Sequence, residues 1–246
     1  AQKGRALVGG GQDPLDAARI GLRIAQPDRD GLADLALEVG GRAQLALEPG
    51  ARDRFDDLWL GYTEAPGHPE LRQAIAALHE QVTADQVLVH AGAEEAIFNF
   101  MNVALAPGDH LIVHAPCYQS LGDVAHGIGA EVTEWRADPS NGWRIHLDDL
   151  KQGLTARTKA VVVNLPHNPT GFLADSAFVH ELSALSERHG FVIFSDEVYR
   201  GLELNPANRL PAMADVNARA VSLGVMSKTY GLAGLRIGWI ATRNDA

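Results

Sequence analysis

Between Gly61 and the C-terminus, short apolar runs alternate with amphipathic segments. Seven runs have the length and apolar content of strands: QVLVHAG, HLIVHAP, AEVTEWRA, TKAVVVNLP, FVIFSDE, ARAVSLGV and LRIGWIAT. Five other segments space apolar residues along one helical face: HPELRQAIAALHEQV, AEEAIFNFMNVAL, SLGDVAHGIG, HLDDLKQGL and SAFVHELSALSERHG. Such alternation is typical of a parallel sheet covered on both faces. The sequence therefore predicts an α/β fold with three αβα layers and a seven-stranded, mostly parallel sheet.

The first sixty residues carry a weaker pattern. The segments PLDAARIGLRIA and DGLADLALEVGGRAQLAL are rich in Leu and Ala, which favours helices. The Gly9–Gly11 run has no P-loop lysine after it and indicates a linker. We expect residues 1–60 to form an irregular or helical N-terminal segment and residues 61–246 to form the main domain.

Composition narrows the classes of function. The net charge is −10 and no Lys/Arg block occurs, which argues against a nucleic-acid partner. Cys117 is the only cysteine, so an internal disulfide is excluded and a reducing compartment is expected. No apolar run has membrane-spanning length and no signal-peptide pattern opens the chain. We expect a cytoplasmic protein without a membrane partner.

Two kinds of enzyme site lack the residues that they need. A hydrolase that uses Ser227 or Cys117 as its nucleophile requires a positioned histidine base, and the sequence does not indicate one. The ten histidines form no HExxH or similar cluster, so no metal site is predicted.

Ligands of such sheets bind beyond the carboxyl ends of the strands, so the residues that follow each strand are the informative ones. Small residues open the helix after the first strand, where backbone N–H groups and the helix dipole can hold an anion. In NLPHNPTG, two X-Pro bonds hold an asparagine in a rigid loop. An acid that follows FVIF needs a positive partner if it is buried. The candidate residues are Gly92, Ala93, Glu94, Tyr118, Asn168, Asp196, Tyr199, Ser227, Lys228 and Arg236.

Each of these features also has an ordinary structural interpretation, as a turn, a half-buried aromatic ring or a surface charge. Taken together they describe one chemistry. A lysine forms a Schiff base with an aldehyde, an aspartate pairs with a protonated pyridine nitrogen, and an asparagine and a tyrosine hydrogen-bond a phenolic oxygen. A helix start, a serine and an arginine hold a phosphate. The set predicts pyridoxal 5'-phosphate as the cofactor.

Four motifs stand in an order that resembles a known family. They are GYTEAPGHPELRQAI, HNPTG, SDEVY and SKTYGLAGLRIGW, and they extend from about Gly61 to Trp239. In these motifs the chain is similar to the class I/II aminotransferases, which are fold type I pyridoxal-phosphate enzymes. The resemblance implies transfer of an amino group between an amino acid and a 2-keto acid.

The same resemblance implies a role for each matching residue. Lys228 is the Schiff-base lysine and proton shuttle, and Asp196 pairs with the pyridine nitrogen. Asn168 and Tyr199 bond the ring oxygen, and Tyr118 stacks on the ring. The phosphate is held by backbone amides of Gly92, Ala93 and Glu94, with Ser227 and Arg236. Tyr62 reaches the phosphate of a second subunit, which implies a homodimer.

The chain also departs from the family pattern. Val225 stands three residues before the lysine, where the family usually has Ser or Thr, so one phosphate hydroxyl is missing. Glu94 would repel a phosphate unless its carboxylate points away. The chain ends at Ala246, where the family continues into a small C-terminal domain with a carboxylate-binding arginine. We therefore expect that domain to be missing.

The resemblance leaves finer questions open. GYTEAPGHPELR and HAGAEEAIF are also similar to a sub-branch that acts on arginine-derived amino acids in antibiotic biosynthesis. Another pyridoxal-phosphate reaction, such as that of a lyase or of an oxidase or cyclase, would use the same residues. A non-catalytic fragment of this fold is the remaining alternative.

Overall fold

The structure is a computed structural model that describes residues 61–244 in full and, before them, the backbone of two strands. It divides the chain into two units, residues 1–61 and 62–246. In the first unit, β1 (Leu35–Glu38) pairs antiparallel with β2 (Arg42–Leu45). The expected helix PLDAARIGLRIA and the expected Gly9–Gly11 linker both lie outside the described residues.

The prediction of a helix for DGLADLALEVGGRAQLAL is wrong over β1 and β2, which are strands. The physical reason lies in the sequence, because Val39-Gly40-Gly41 separates two four-residue runs. A glycine pair costs helix stability, whereas a short Gly-containing connection is favourable between paired strands. The Leu/Ala content favoured a helix and gave no indication of this pair of strands.

The second unit contains a seven-stranded sheet. Its strands are β3 (Val87–His90), β4 (His110–Ala115), β5 (Glu131–Arg136), β6 (Thr158–Asn164), β7 (Val192–Asp196), β8 (Val221–Val225) and β9 (Gly238–Thr242). Their spatial order is β3-β9-β8-β7-β6-β4-β5. Neighbours from β8 to β5 are parallel, and β9 is antiparallel to both β3 and β8. The predicted seven-stranded, mostly parallel sheet is confirmed.

Helices connect these strands. They are α1 (Pro69–Ala76), α2 (Ala93–Ala104), α3 (Ser120–Ile128), α4 (Leu147–Gly153), α5 (Ser176–His189) and the short α6 (Met213–Val216). Local chemistry sets their ends. Asp175 caps α5 by accepting a hydrogen bond from Phe178 N at 2.8 Å, and Gly190 ends it in the left-handed conformation at φ 80°.

Both faces of the sheet are buried, which gives the three layers. On one face, Ile112, Val161 and Ile193 pack with residues from α4 and α5 such as Leu150 and Leu182. The alternate residues of the same strands face the other way, where Leu111, Val162 and Phe194 pack with Ile97 of α2 and Leu121 of α3. Because both faces are covered, the carboxyl ends of the parallel strands are the place where polar side chains can gather.

The winding of the chain reverses between β4 and β6. From β4 the chain moves to β5 on one side, and it then returns to β6 on the other side of β4. In open α/β sheets a crevice forms outside the strand ends at such a reversal, and ligands bind there. The segments that leave β4 and β6 carry Tyr118 and Asn168, two of the predicted site residues.

Candidate active site

Two polar residues end neighbouring strands at this edge. Asn164 closes β6, Asp196 closes β7, and the two lie opposite each other in the sheet register. Both side chains are buried, with residue exposures of 1% and 4%. The Asn164 amide Nδ2 donates to the Asp196 carbonyl at 2.9 Å. The predicted aspartate is therefore held at the carboxyl edge by a residue that the motif analysis did not select.

The Asp196 carboxyl group is removed from water without an ion pair. Burial raises its pKa to about 7, against the lowering effect of the Val198 N–H, which donates to Oδ1 at 3.2 Å. The charge of Glu197 raises this pKa further and that of Lys228 lowers it. Within residues 61–244, no side chain forms an ion pair with Asp196. A buried carboxyl in this state can take a cationic ligand group as its partner.

Lys228 and Tyr199 lie beside this carboxyl group. Lys228 follows the end of β8, is exposed, and places its Nζ 5.8 Å from the centre of the Tyr199 ring. Burial raises the pKa of the Tyr199 phenol, and the charge of Asp196 adds to the effect. The structure thus brings together the three residues that were predicted to be catalytic.

The turn between β3 and α2 meets Arg236. Gly92 has φ 94°, and a Cβ added to it would lie 2.6 Å from Nη2 of Arg236. Arg236 itself has φ 51°, which is uncommon for a residue with a side chain. A Cβ on Gly238 would lie 2.5 Å from the Gly92 carbonyl carbon, so β9 presses against the same turn. The Arg236 guanidinium therefore packs directly against the turn that opens α2.

Of the three amides predicted to hold a phosphate, one is already occupied. The Gly92 N–H donates to the His90 carbonyl at 2.8 Å. The Ala93 and Glu94 N–H groups open α2, which has no side-chain cap, and amides at a helix start lack an acceptor within the helix. These two amides are the ones available to an anion.

The Glu94 carboxylate turns away from the helix start. Its Oε2 accepts a hydrogen bond from Ser120 Oγ at 3.0 Å, at the beginning of α3. This contact supports the expectation that only the backbone of Glu94 serves the site. It also ties the first turn of α2 to the segment that carries Tyr118.

Tyr118 and Asn168 lie on the two loops of the crevice. Tyr118 is 50% exposed, and Asn168 is half-buried beside Tyr199 in a cavity of about 550 Å³. The backbone N–H of Asn168 donates to Asn164 Oδ1 at 2.7 Å. Its side-chain amide forms no hydrogen bond to any residue in the described range, which leaves it available to a ligand.

The remaining candidates are less firmly placed. Ser227 is half-buried next to Lys228, and Val225 is buried at the end of β8. Tyr62 is fully exposed, and no hydrogen bond or ion pair within residues 61–244 joins it to the other candidates. The structure does not bring Tyr62 into the group.

Asn164, His167 and Glu197 support the site but were not among the predicted residues. Asn164 and His167 form hydrogen bonds between the strand ends and the loops that follow them. Glu197 is buried behind Asp196, where its Oε1 accepts from Ser222 Oγ at 2.7 Å and from Met213 N at 2.8 Å. Burial raises the pKa of Glu197. The sequence signals for two of them were a polar residue, Asn164, directly after VVV and an acidic residue, Glu197, at the end of FSDE. The partners of both residues are distant in sequence.

The aminotransferase class I and II family matches residues 51–246. The chain belongs to this family. Pyridoxal phosphate is the family's cofactor.

Two curated relatives of this aminotransferase-family chain are each 34% identical to it. The arginine–pyruvate transaminase of Pseudomonas aeruginosa aligns over 219 residues, which cover 84% of this chain and 55% of the relative. Capreomycidine synthase of Streptomyces vinaceus aligns over 203 residues, which cover 81% and 52%. The chain thus spans about half the length of the curated relatives it matches.

Solved structures agree with the fold. A PLP-dependent aminotransferase from Streptococcus suis superposes with a TM-score of 0.74 at 33% identity, covering 80% of this chain and 52% of that one. The aspartate aminotransferase of Thermus thermophilus, solved with maleate, gives a TM-score of 0.73 at 29% identity, covering 79% and 52%. The three-layer large domain of this family is therefore the fold of the second unit.

The residues present fit pyridoxal phosphate. Among residues 61–244 the buried Asp196 carboxyl has no ion-pair partner, and a protonated pyridine nitrogen would supply one. The Arg236 guanidinium packs against Gly92, next to two helix-start amides, and this combination of donors suits a phosphate. The Lys228 amine lies 5.8 Å from the centre of the Tyr199 ring.

No group of three or more His, Cys, Asp or Glu side chains in the described part of the chain is placed to hold a metal ion. None of the helices described is both long and apolar enough to cross a membrane.

Proposed function

We propose that this chain is the cofactor-binding part of a pyridoxal-phosphate-dependent aminotransferase, which moves an amino group between an amino acid and a 2-keto acid. The observation that carries the proposal is the meeting of the Lys228 amine, the buried Asp196 carboxyl and the Tyr199 ring at one edge of the sheet. Residues 61–246 would form the cofactor-binding domain, and residues 1–60 a separate N-terminal segment.

Each residue would hold one part of the cofactor. The Asp196 carboxylate would keep a proton on the pyridine nitrogen, and the Asn168 amide and Tyr199 phenol would bond the ring oxygen. Tyr118 would cover the ring. The Ala93 and Glu94 amides, Ser227 and Arg236 would bind the phosphate.

Lys228 would act as the general acid–base group of the reaction. Its Nζ would bind the cofactor covalently and, once released by substrate, would carry the proton that leaves the substrate Cα. Bound pyridoxal phosphate supplies an electron sink for the charge left at Cα. A positioned acid–base group of this kind contributes about 10²–10⁴-fold to the rate. Asp196 supports the step, because a protonated ring nitrogen withdraws electrons more strongly.

A homodimer belongs to the same proposal. It would explain why Tyr62 is fully exposed, since its predicted role is at the phosphate of the partner's site. The exposed Phe98 and Val103 of α2 offer further apolar surface for a second copy. The reducing compartment expected from a single cysteine makes the cytoplasm the proposed location.

The test of cofactor binding is reductive trapping. Pyridoxal phosphate is added to the purified chain, the mixture is treated with borohydride, and modified peptides are mapped by mass spectrometry. A label on Lys228 is expected, and Lys228→Ala should remove it. The exposed Lys151 and Lys159 are matched controls within the same chain and should remain unlabelled. A folded chain without a label on Lys228 would contradict the proposal.

The test of the reaction is dependence on a keto acid. The similarity to the arginine–pyruvate transaminase suggests arginine as the first donor and pyruvate as the first acceptor to test. Turnover that requires the keto acid and disappears in Lys228→Ala would support transamination. Turnover of the donor without any keto acid would instead indicate a lyase or a cyclase on the same fold.

A further inference from the structure

His167 lies where the two loops of the crevice approach each other. Its Nε2 is 2.7 Å from the carbonyl oxygen of Pro116, on the loop that follows β4 and leads to Tyr118. Its Nδ1 is 2.6 Å from Thr170 Oγ1, within its own loop. The side chain is buried, with 3% of the residue exposed. One imidazole ring therefore joins the Tyr118 loop to the Asn168 loop.

The partners define the tautomer of this ring. A carbonyl oxygen can only accept a hydrogen bond, so Nε2 carries the proton that points at Pro116. Nδ1 of the neutral ring then accepts the Thr170 hydroxyl proton. The same hydroxyl oxygen accepts a hydrogen bond from Phe172 N at 3.2 Å, so the Thr170 hydroxyl acts as both a donor and an acceptor. Burial lowers the pKa of His167, against the opposing effect of the Pro116 contact, and this favours the neutral ring.

His114 fixes the plane of the His167 ring. The two imidazoles stack with centroids 3.7 Å apart and an angle of 16° between planes. Both nitrogens of His114 are buried without a hydrogen-bond partner in the described residues. Burial lowers the pKa of His114 to about 3, so this ring is neutral and acts as an apolar face. The stack leaves only the edge of His167 to make polar contacts.

Asn164 extends the link to Asp196. The Asn168 N–H, one residue after His167, donates to Asn164 Oδ1 at 2.7 Å, and Asn164 Nδ2 donates to the Asp196 carbonyl at 2.9 Å. A continuous path thus runs from Pro116 through His167 and Asn164 to Asp196. It connects the segments that carry Tyr118, Asn168 and Asp196.

We infer that His167, with Asn164, is a positioning residue that sets the spacing of the three groups predicted to contact the cofactor ring. The inference rests on the proposed function, because it assumes that Tyr118, Asn168 and Asp196 meet one ring. His167 does not itself touch the ligand in this role. It acts by holding the Tyr118 loop at a fixed distance from the Asn168 loop.

A matched pair of variants separates the two contacts of the ring. In His167→Gln the amide nitrogen extends as far as Nε2 and can still donate to Pro116. In His167→Asn the shorter amide reaches only the position of Nδ1, so the bond to Pro116 is lost. The exposed His180 of α5 is the control, as His180→Asn.

The measurement is the dissociation constant of pyridoxal phosphate, followed by absorbance well below the melting temperature. The loss of one such hydrogen bond should weaken binding about threefold to tenfold in His167→Asn. His167→Gln should restore most of the affinity, and His180→Asn should not change it. Equal losses in the Gln and Asn variants would overturn the inference.

A second arm distinguishes positioning from a general structural role. In a Tyr118→Ala background the loop no longer has a ring to place, so His167→Asn should cost less than about twofold in affinity. The same loss in both backgrounds would overturn the inference. Melting temperatures without cofactor show whether the variants remain folded. If the wild-type chain itself acquires no reduced label at Lys228, the proposed function fails, whereas a labelled wild type with an unaffected His167→Asn variant overturns only this inference.

Discussion

Asp196 gives the chain a pH dependence with a defined sign. Burial raises its pKa from the ordinary 3.8 to about 7 in the folded state. Between these two values the folded chain holds a proton that the unfolded chain has released. The free energy of unfolding therefore falls as pH rises from about 4 to about 7, by up to about 1.4 kcal/mol per pH unit. The contribution is fully present below pH 4 and is lost through pH 7.

The variant Asp196→Asn removes this titration. Its stability relative to the wild type should rise steadily between pH 4.5 and pH 7, as measured by urea unfolding without cofactor. His114 contributes the opposite slope, because its pKa is lowered to about 3, but it is present in both proteins and cancels in the difference. A difference in stability that is constant with pH would contradict the raised pKa of Asp196. With cofactor added, the variant should bind more weakly, because the partner for the pyridine nitrogen has lost its charge.

At the scale of residues, the sequence indicated candidate ligand contacts more readily than contacts between the protein's own side chains. Asp196 could be selected because it ends an apolar strand, and Lys228 because it lies in apolar, small-residue surroundings, since a charged residue in either place needs a special reason. Asn164 and His167 could not, because their partners are the Asp196 carbonyl and the Pro116 carbonyl. These contacts are 32 and 51 residues apart and depend on the order of the strands. The motif HNPTG contains His167, yet the motif alone does not show what the imidazole contacts.

The start of α2 is the element on which the proposed phosphate site depends. In Gly92→Ala the new methyl group would occupy a backbone conformation with φ 94° and would lie 2.6 Å from the Arg236 guanidinium. We expect a loss of about 1–2 kcal/mol in stability from the backbone alone. We also expect weaker binding of pyridoxal phosphate, because Arg236 must move. Urea unfolding and cofactor titration measure the two effects.

Gly127 of α3 provides the matched control for Gly92. A Cβ there would meet nothing within 4 Å, and the residue has ordinary helical backbone. Gly127→Ala should therefore stabilise the chain by about 0.5–1 kcal/mol and leave cofactor affinity unchanged. If Gly92→Ala behaved like Gly127→Ala, the close approach of Arg236 to the turn would be wrong.

The contact between α2 and α3 yields a second prediction for the same element. Ser120→Ala removes the hydroxyl that holds the Glu94 carboxylate away from the helix start. The freed carboxylate would repel a phosphate at the Ala93 and Glu94 amides, so cofactor affinity should fall by about two- to fivefold. Adding Glu94→Gln should restore the affinity, since the neutral amide exerts no such repulsion. A Ser120→Ala loss that persists in the double variant would show that Ser120 acts in another way.

At the scale of elements, the pattern was reliable wherever burial was strong. All seven strands and the five helices expected after Gly61 are present, although α1 ends at Ala76 and does not extend to Val82 as expected. In the central strands β4, β6, β7 and β8, burial on both faces produces near-continuous apolar runs. The helix expected within residues 30–47 was wrong where the structure describes it, because the glycine pair Gly40-Gly41 disfavours a helix more strongly than the Leu/Ala content favours one. The four-residue α6 was not predicted, since it is too short for a periodic signal.

At the scale of the whole molecule, the proposed homodimer distributes one site over two chains. Lys228 would belong to the subunit that binds the cofactor, and Tyr62 would come from the partner. The full exposure of Tyr62 agrees with this arrangement. The sequence could suggest the dimer only through the resemblance, since a contact between subunits leaves no periodic pattern in either one.

Subunit mixing tests this distribution directly. Tyr62→Ala and Lys228→Ala chains should each label poorly with pyridoxal phosphate and borohydride at limiting cofactor. In a hybrid dimer, the Tyr62→Ala subunit keeps Lys228 and receives an intact Tyr62 from its partner, so one complete site forms. With random exchange, about a quarter of all sites become complete. Labelling of Lys228 in the mixture should therefore exceed the mean of the two separate variants. Labelling equal to that mean, with exchange shown by mass spectrometry of the intact dimers, would place Tyr62 at its own subunit's site or at none.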